Sequence, residues 1–473
     1  MTSAPQAPIH LFRDMGLVRH IGVIPNGERS HFFVGPDGRP PSFIVSPTEA
    51  SPRRNVGQAC DRFRAVVGVP VSVQRPLWVT SNSGDALRVY ALEAHGPLPD
   101  RWRPIDELDL PGWAGRSERL IEALEGNDGS PPWYSPEHRK AVESWIVDVL
   151  GQRGETLAGP IRQIRHWTFS AVWLIESTRG RYFFKAGLPE NHEPTKTRVI
   201  AEQWPMVTPV VVAVEPERGW LLTAEVSGIS LSRLWEPGLR SQAAFEYGRV
   251  QVESLSVRSV LSEVANEARS MSDYYRDAQL LLEDDLLTEG PMGLTDYELG
   301  MLHAAAEPPL EALRQLTDLD DLKALDHGDF DAHQVVVVGS SIKVLDWGGA
   351  GFAHPLLDIE NYLRTLHEGG RLRGKKKTWP RRLAYAAVRR LLRTLRREAD
   401  DPTRRYHDRI FDAYMSAWEQ HPMYRWILRS RPLVEEAFPL IKAVELWRTT
   451  KEVPNPWELD VTIQGQIRGE LNL

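Results

Sequence analysis

Residues 327–347 constrain this chain more tightly than any other segment: His-Gly-Asp-Phe-Asp-Ala-His-Gln, four valines, Gly-Ser-Ser, then Ile-Lys-Val-Leu-Asp-Trp. Two short runs of strand-forming residues flank a Gly-Ser-Ser break, the pattern of a tight β-hairpin. With the turn centred on Ser340, Gln334 and Asp346 become cross-strand neighbours, give or take one position, with Cβ atoms roughly 5 Å apart. An amide oxygen and a carboxylate that close can share one metal ion. Asp329 lies on the loop just before the first strand, beside that metal.

Phosphoryl transfer asks for little more. An aspartate must accept and orient the proton of an attacking hydroxyl, and oxygen ligands must hold Mg²⁺ on nucleotide phosphates whose charge has to be neutralised. The spacing of five from Asp329 to Gln334 matches the arithmetic of kinase catalytic loops. A complementary half lies upstream. Lys185 interrupts the apolar strand Arg-Tyr-Phe-Phe-Lys-Ala at 181–186, an expensive place for an ammonium without a partner. A lysine that holds the α- and β-phosphates and pairs with a helix glutamate explains the placement. Glu193 is the first candidate partner and Glu202 the second. The Trp-Thr-Phe-Ser-Ala turn at 167–171 occupies a phosphate-covering position without a Gly-x-Gly-x-x-Gly pattern. Ala224, Glu225 and Val226 are expected at an inter-lobe hinge, with backbone groups available to hydrogen-bond adenine.

The rest of the chain supplies an order of elements that suits such a site. At 473 residues it exceeds one hydrophobic core, so two or three domains are expected. Residues 9–125 read as mixed α/β, with strand-like runs at 31–34, 42–45, 77–80 and 87–92. A Pro/Gly/Asp-rich patch at 126–132 reads as a linker, and Ser135-Pro136-Glu137 opens a helix running to about residue 150. A hairpin follows at 171–176 and 181–186, then a short helix at 194–204 and strands at 210–214 and 220–225. After Gly228 the pattern is mainly helical, broken by the hairpin at 335–346. The expected organisation is therefore α+β: a mixed domain (1–125), a linker and connecting helix (126–155), a small β-rich lobe (156–226) and a large helical lobe (227–473).

At the residues of the site the chain resembles the aminoglycoside phosphotransferase and choline kinase superfamily. Its members carry a His-Gly-Asp loop, an Asn five residues after that Asp, and an Asp-Trp or Asp-Phe farther on. The resemblance covers residues 161–363. It implies a bilobal protein-kinase-like fold and ATP- and Mg²⁺-dependent transfer of the γ-phosphate to a hydroxyl of an amino-sugar, sugar or amino-alcohol. Under it Asp329 is the catalytic base and Asp346 a Mg²⁺ ligand alongside Gln334. Lys185 and Glu193 are the phosphate-binding pair, Ser170 sits in the nucleotide loop, and Asp358, after Ala353-His354-Pro355, braces the catalytic loop. Gln334 stands where the family usually has Asn. Its extra C–C bond adds roughly 1.5 Å of reach, and related sugar kinases use Gln there too.

Asp346 is followed almost at once by Gly348-Gly349-Ala350-Gly351 and a helix start, leaving no room for a peptide platform; a small-molecule acceptor is expected. Asp331 and His333 read as solvated loop residues rather than hydrolase metal ligands. From Arg371 to Arg397 there are twelve Lys/Arg and no acid, on a helical period marked by Leu383, Ala387, Leu391 and Leu395. This basic helix is either an exposed face balanced by acids elsewhere or a docking surface for an anionic partner. Trp418, Trp426, Trp447 and Trp457 are expected as helix-packing anchors rather than sugar-stacking platforms. Glu435, Glu436, Glu445, Glu452 and Asp460 suit either an amino-sugar or a solvated helix surface.

The N-terminal segment 59–69 resembles the end of a Nudix-box helix, with strand and loop residues at 89–91 and 103–108 that suit that fold. Arg62, Ala65 and Val66 stand where metal-binding glutamates would be, so a Nudix-like domain here would be catalytically silent. A net charge of −7 shows no bias toward nucleic acid. The single Cys60, the lack of an apolar leader and the lack of a membrane-spanning run lead to an expected cytoplasmic address. The motifs themselves name no acceptor and no oligomeric state. Two other functions fit the same motifs: a nucleotide-binding pseudokinase with partner recognition by the N-terminal domain, and transfer of AMP to a protein.

Overall fold

The computed structural model describes residues 17–46, 55–81, 85–108, 130–234, 236–264, 269–288, 293–319, 323–366 and 402–452. Among these, the N-terminal unit contains β1 (Leu17–Val23), β2 (His31–Phe33), β3 (Ser42–Val45), α1 (Gly57–Val67), β4 (Val71–Ser81), β5 (Asp85–Ala94) and β6 (Trp102–Pro104). Its main sheet runs β3-β1-β5-β4, with β1 parallel to β5 and the other neighbours antiparallel; β2 pairs with β6. Helix α1 turns Ala59, Phe63 and Val67 into the core at helical spacing. It ends at Gly68, whose φ of 89° favours glycine. Strand β1 is absent from the strands expected from sequence. Its polar residues mask the pattern, because His20 is buried against the rings of Phe43 and Tyr90.

Helix α2 (Pro136–Gln152) starts where expected, with Ser135 Oγ accepting from the His138 amide. It is no spacer. Val142, Ile146 and Leu150 are fully buried and share one core with Trp173, Phe184, Trp220 and Leu222 of the next sheet. That sheet comprises β7 (Arg162–Trp167), β8 (Ser170–Glu176), β9 (Arg181–Gly187), β10 (Val211–Glu215) and β11 (Trp220–Ala224), all antiparallel in the order β10-β11-β9-β8-β7. Helix α3 (Glu193–Gln203) lies between β9 and β10 in sequence. Strand β4 of the N-terminal unit docks against β7, the edge of this sheet. The Gln163 side chain accepts from Val73 N (2.8 Å) and donates to Val73 O (2.9 Å), completing the β4 backbone as a strand would.

The C-terminal body holds β12 (Ile229–Ser230), α4 (Pro237–Ser254), α5 (Met271–Leu282), α6 (Asp296–Leu316), β13 (Ala324–Asp326), β14 (Val335–Val338), β15 (Ser341–Val344), β16 (Gly351–Ala353), α7 (Leu356–Thr365), α8 (Pro402–Ser416) and α9 (Tyr424–Glu452). The small sheets β12-β14-β15 and β13-β16 sit on one large helical core. The molecule is thus mixed α+β, a small β-rich lobe leading into a large helical one. Trp418 and Trp447 are buried packing residues, whereas Trp426 is half exposed. Glu435 and Glu445 are taken up by Arg431 and Lys442. The basic stretch 371–397, Trp457 and Asp460 lie outside the described residues. Among the described residues no helix is long and apolar enough to cross a membrane.

The β14–β15 hairpin turns half a step earlier than a centre on Ser340 requires. Val338 pairs with Ser341 and Val335 with Val344, leaving Gly339 (φ 61°) and Ser340 as the two-residue loop. Leu345 N donates to Gln334 O at 2.8 Å, so Gln334 opposes Leu345 and Asp346 lies one residue beyond.

Candidate active site

Alternation along β9 sets the first side chain. Tyr182, Phe184 and Ala186 point into the core, so Lys185 projects from the opposite face. There its Nζ donates to Glu193 Oε1 at 2.7 Å and to Asp346 Oδ1 at 2.5 Å, joining strand, helix and hairpin. Glu193 occupies the first turn of α3, immediately after His192, whose φ is 51°. Glu202 is on the outer side of the same helix, 64% exposed and beside Arg198, and plays no part. Asp346 adopts the left-handed conformation (φ 65°), which Asp tolerates better than most side chains.

Charge explains the cluster. Burial works against the Lys185 ammonium, but the Asp346 and Glu193 carboxylates outweigh it and hold its pKa above the usual value. Lys185 in turn holds Asp346 down to about 2. Glu193 is raised, first by burial and then by the Asp346 charge against the counter-pull of Lys185. The three groups behave as one unit.

The catalytic-loop residues are fixed by backbone geometry. Gly328 has φ 84°, and a Cβ there would stand 2.8 Å from Gly349 O, so both conformation and space demand glycine. His327 Nε2 contacts Leu345 O at 2.7 Å, and the Asp329 amide contacts its Nδ1 at 3.3 Å. A carbonyl only accepts and an amide only donates, so this imidazole is the neutral Nε2–H tautomer. Asp331 Oδ1 accepts from the His333 and Gln334 amides, which caps the loop and leaves Asp331 and His333 as turn residues. Gln334 Nε2 reaches Asp329 Oδ2 at 3.4 Å. Partial loss of hydration, then the Asp331 charge, raises the Asp329 pKa.

Beneath the loop, Asp358 accepts from Tyr247 Oη and from the amides of His327 (2.5 Å) and Phe330 (3.4 Å). The Phe330 ring stacks between Tyr247 and Tyr362. Asp358 therefore stands where the resemblance implies a brace. Tyr247 and Asn361, which donates to Phe330 O, are supports that no sequence motif marks. A further one is Lys196, fully buried three residues after Glu193. Its Nζ donates to Gly348 O at 3.0 Å, and its pKa is lowered to about 8, chiefly by burial.

Three of the nucleotide-side residues, Ser170, Ala224 and Glu225, are occupied within the protein itself. Ser170 is buried at the start of β8, where its Oγ accepts from Trp167 Nε1 at 3.0 Å. At the hinge the Ala224 and Glu225 amides are used by Val210 O and Arg181 O, and Glu225 pairs with Arg181. That leaves the Val226 amide, which has no partner among the described residues. The oxygens that the Asp346 carboxylate and the Gln334 amide could offer a cation are hard donors. This set suits Mg²⁺ rather than a soft metal.

No family model matches the chain, and no curated protein matches its sequence. Among solved structures it is similar to a choline/ethanolamine kinase family protein from Mesorhizobium loti, with 13% identity, TM-score 0.42, and 75% of this chain and 92% of that one covered. It is also similar to a macrolide 2′-phosphotransferase from Brachybacterium faecium, with 14% identity, TM-score 0.41, and 68% and 97% covered. A third is a choline kinase from Streptococcus pneumoniae, with 12% identity, TM-score 0.41, and 70% and 99% covered. All three are small-molecule kinases or phosphotransferases by name.

Proposed function

We propose that the chain is an ATP- and Mg²⁺-dependent phosphotransferase that moves the γ-phosphate to a hydroxyl of a small molecule, an amino-sugar, sugar or amino-alcohol. The observation that supports this most is Lys185 held between Glu193 and Asp346 across two lobes, opposite Asp329 and Gln334. Glu193 keeps Lys185 charged and aimed at the α- and β-phosphates. Asp329 takes the proton of the acceptor hydroxyl while that oxygen bonds to the γ-phosphorus and the bond to the bridging oxygen of ADP breaks. Gln334 and Asp346 would hold Mg²⁺, which supplies neutralising charge on the phosphates. The Val226 amide is the hinge donor left for adenine, with Ala224 and Glu225 shaping that edge. Only residues 347–355 separate Asp346 from α7, so the acceptor is small. For the N-terminal unit the sequence resemblance, with Arg62, Ala65 and Val66 in place of metal-binding glutamates, supports a catalytically silent Nudix-like module.

A pseudokinase is the second reading, favoured by Gln334 standing where Asn is usual and by a 167–171 turn that has no glycine-rich pattern and keeps Ser170 buried. Titration calorimetry with Mg·ATP tests the nucleotide site on which both depend. Lys185→Met is expected to weaken binding about 10-fold or more, the value of one lost charge-assisted contact. Unchanged affinity would remove Lys185 from the site.

A further inference from the structure

Between the N-terminal unit and the β-rich lobe lies a cleft of about 660 Å³, walled by α1 and β4 on one side and by α2 and the start of β7 on the other. It does not overlap the phosphate site: none of its lining residues is Lys185, Glu193, Asp329 or Asp346. Its size is that of a small-molecule pocket, and domain interfaces are where such pockets form. Val71, Val147, Leu157 and Ile161 give it an apolar body. Val147 is half exposed on α2, an aliphatic side chain that faces the cleft rather than the core.

The charges around it are unbalanced. Asp61 pairs with Arg162 at 3.5 Å, and Glu143 pairs with Arg139 at 2.8 Å, so each lining acid has a cationic partner. Arg64, from the last turn of α1, lines the same cleft and has no ion-pair partner among the described residues. His95, hydrogen-bonded to Ser72 Oγ at 2.8 Å, is held neutral and adds a polar ring without charge. An apolar cavity with one uncompensated guanidinium at its edge is complementary to a molecule with an apolar body and a single anionic group.

We propose that this interdomain cleft is a binding site for a small, mainly apolar monoanion. Its wall carries Gln163, which clamps β4 to β7, and β7 runs directly into the 167–170 turn. The bound molecule therefore sits on the joint between the two units. The site stands independently of the phosphotransferase assignment.

The probe is 1-anilinonaphthalene-8-sulfonate, an aromatic body with one sulfonate, titrated into the full-length protein by fluorescence. N-phenyl-1-naphthylamine, which lacks the sulfonate, runs in parallel. Saturable binding of one sulfonate probe per chain is expected, at least about 5-fold tighter than the uncharged analogue. Val147→Trp and Ser144→Trp, which fill the cleft from exposed helix positions, are each expected to weaken binding at least about 10-fold, and Arg64→Gln about 3- to 10-fold. Hydrogen exchange of the saturated protein should slow at residues 57–64 and 161–167. Binding undiminished in both tryptophan variants, equal affinity for the two probes, or protection confined to other segments would each overturn the proposal. None of these readouts uses nucleotide or turnover, so their failure is separate from any failure of the phosphotransferase assignment.

Discussion

Asp329 lies at an exposed position of the catalytic loop, yet partial loss of hydration against its surroundings and the Asp331 carboxylate nearby both push its pKa upward. A general base works only when deprotonated, so activity falls as pH drops through that raised value rather than through the ordinary carboxylate range. Asp331→Asn keeps the side-chain oxygen that caps the loop but removes the repelling charge. The acid limb of the kcat/KM–pH profile is therefore expected to move to lower pH in this variant, and an unmoved limb would show that Asp331 does not influence the base. Lys185, Asp329, Gln334 and Asp346 were visible in the sequence because each breaks a local pattern: a cation in an apolar strand, polar groups at the ends of a valine ribbon. Tyr247, Asn361 and Lys196 were not. They support the loop from distant elements, and a buried lysine on a helix looks the same in sequence as a solvated one.

At the scale of elements, close approach decides which helices can pack. Helix α4 presents Gly248 to α8, where a Cβ would lie 2.9 Å from Tyr414 O and 3.1 Å from the Ala417 methyl. Backbone cannot move aside cheaply, so Gly248→Ala is expected to destabilise the helical lobe by about 1–3 kcal/mol, read as a lower midpoint in urea unfolding at unchanged slope. An unchanged midpoint would mean that the two helices are less tightly packed. The hairpins and α3 were legible because turn residues punctuate them. The short pairs β13–β16 and β12–β14 were not, since two- and three-residue strands carry no period of their own and form only where the chain returns from far away. The half-step shift of the β14–β15 turn has the same origin: Gly339, not Ser340, takes the left-handed position.

For the molecule as a whole, the joint between the N-terminal unit and the β-rich lobe is the feature the sequence least foretold. It is made by Gln163 reaching backbone groups ninety residues away, and by His166 Nε2 bonding Gln74 O at 2.7 Å. The connecting helix was legible as a helix, but its buried stripe of Val142, Ile146 and Leu150 shows that a core exists, not which one. Gln163→Ala leaves the Val73 amide and carbonyl without these partners, a loss of about 1–3 kcal/mol at the joint. Scanning calorimetry should then show the N-terminal unit melting earlier and apart from the rest, while a single unshifted transition would mean the joint is held elsewhere.

The phosphotransferase account is tested most directly by following ADP release and phosphate-ester formation from Mg·ATP across amino-sugars, sugars, choline-like alcohols and amino-alcohols, with Asp329→Asn alongside. The account predicts phosphorylation of at least one alcohol by the natural sequence, reduced by about 10²- to 10⁴-fold in the variant. Tight Mg·ATP binding with no transfer to any acceptor, or an Asp329→Asn protein as fast as its parent, would contradict it.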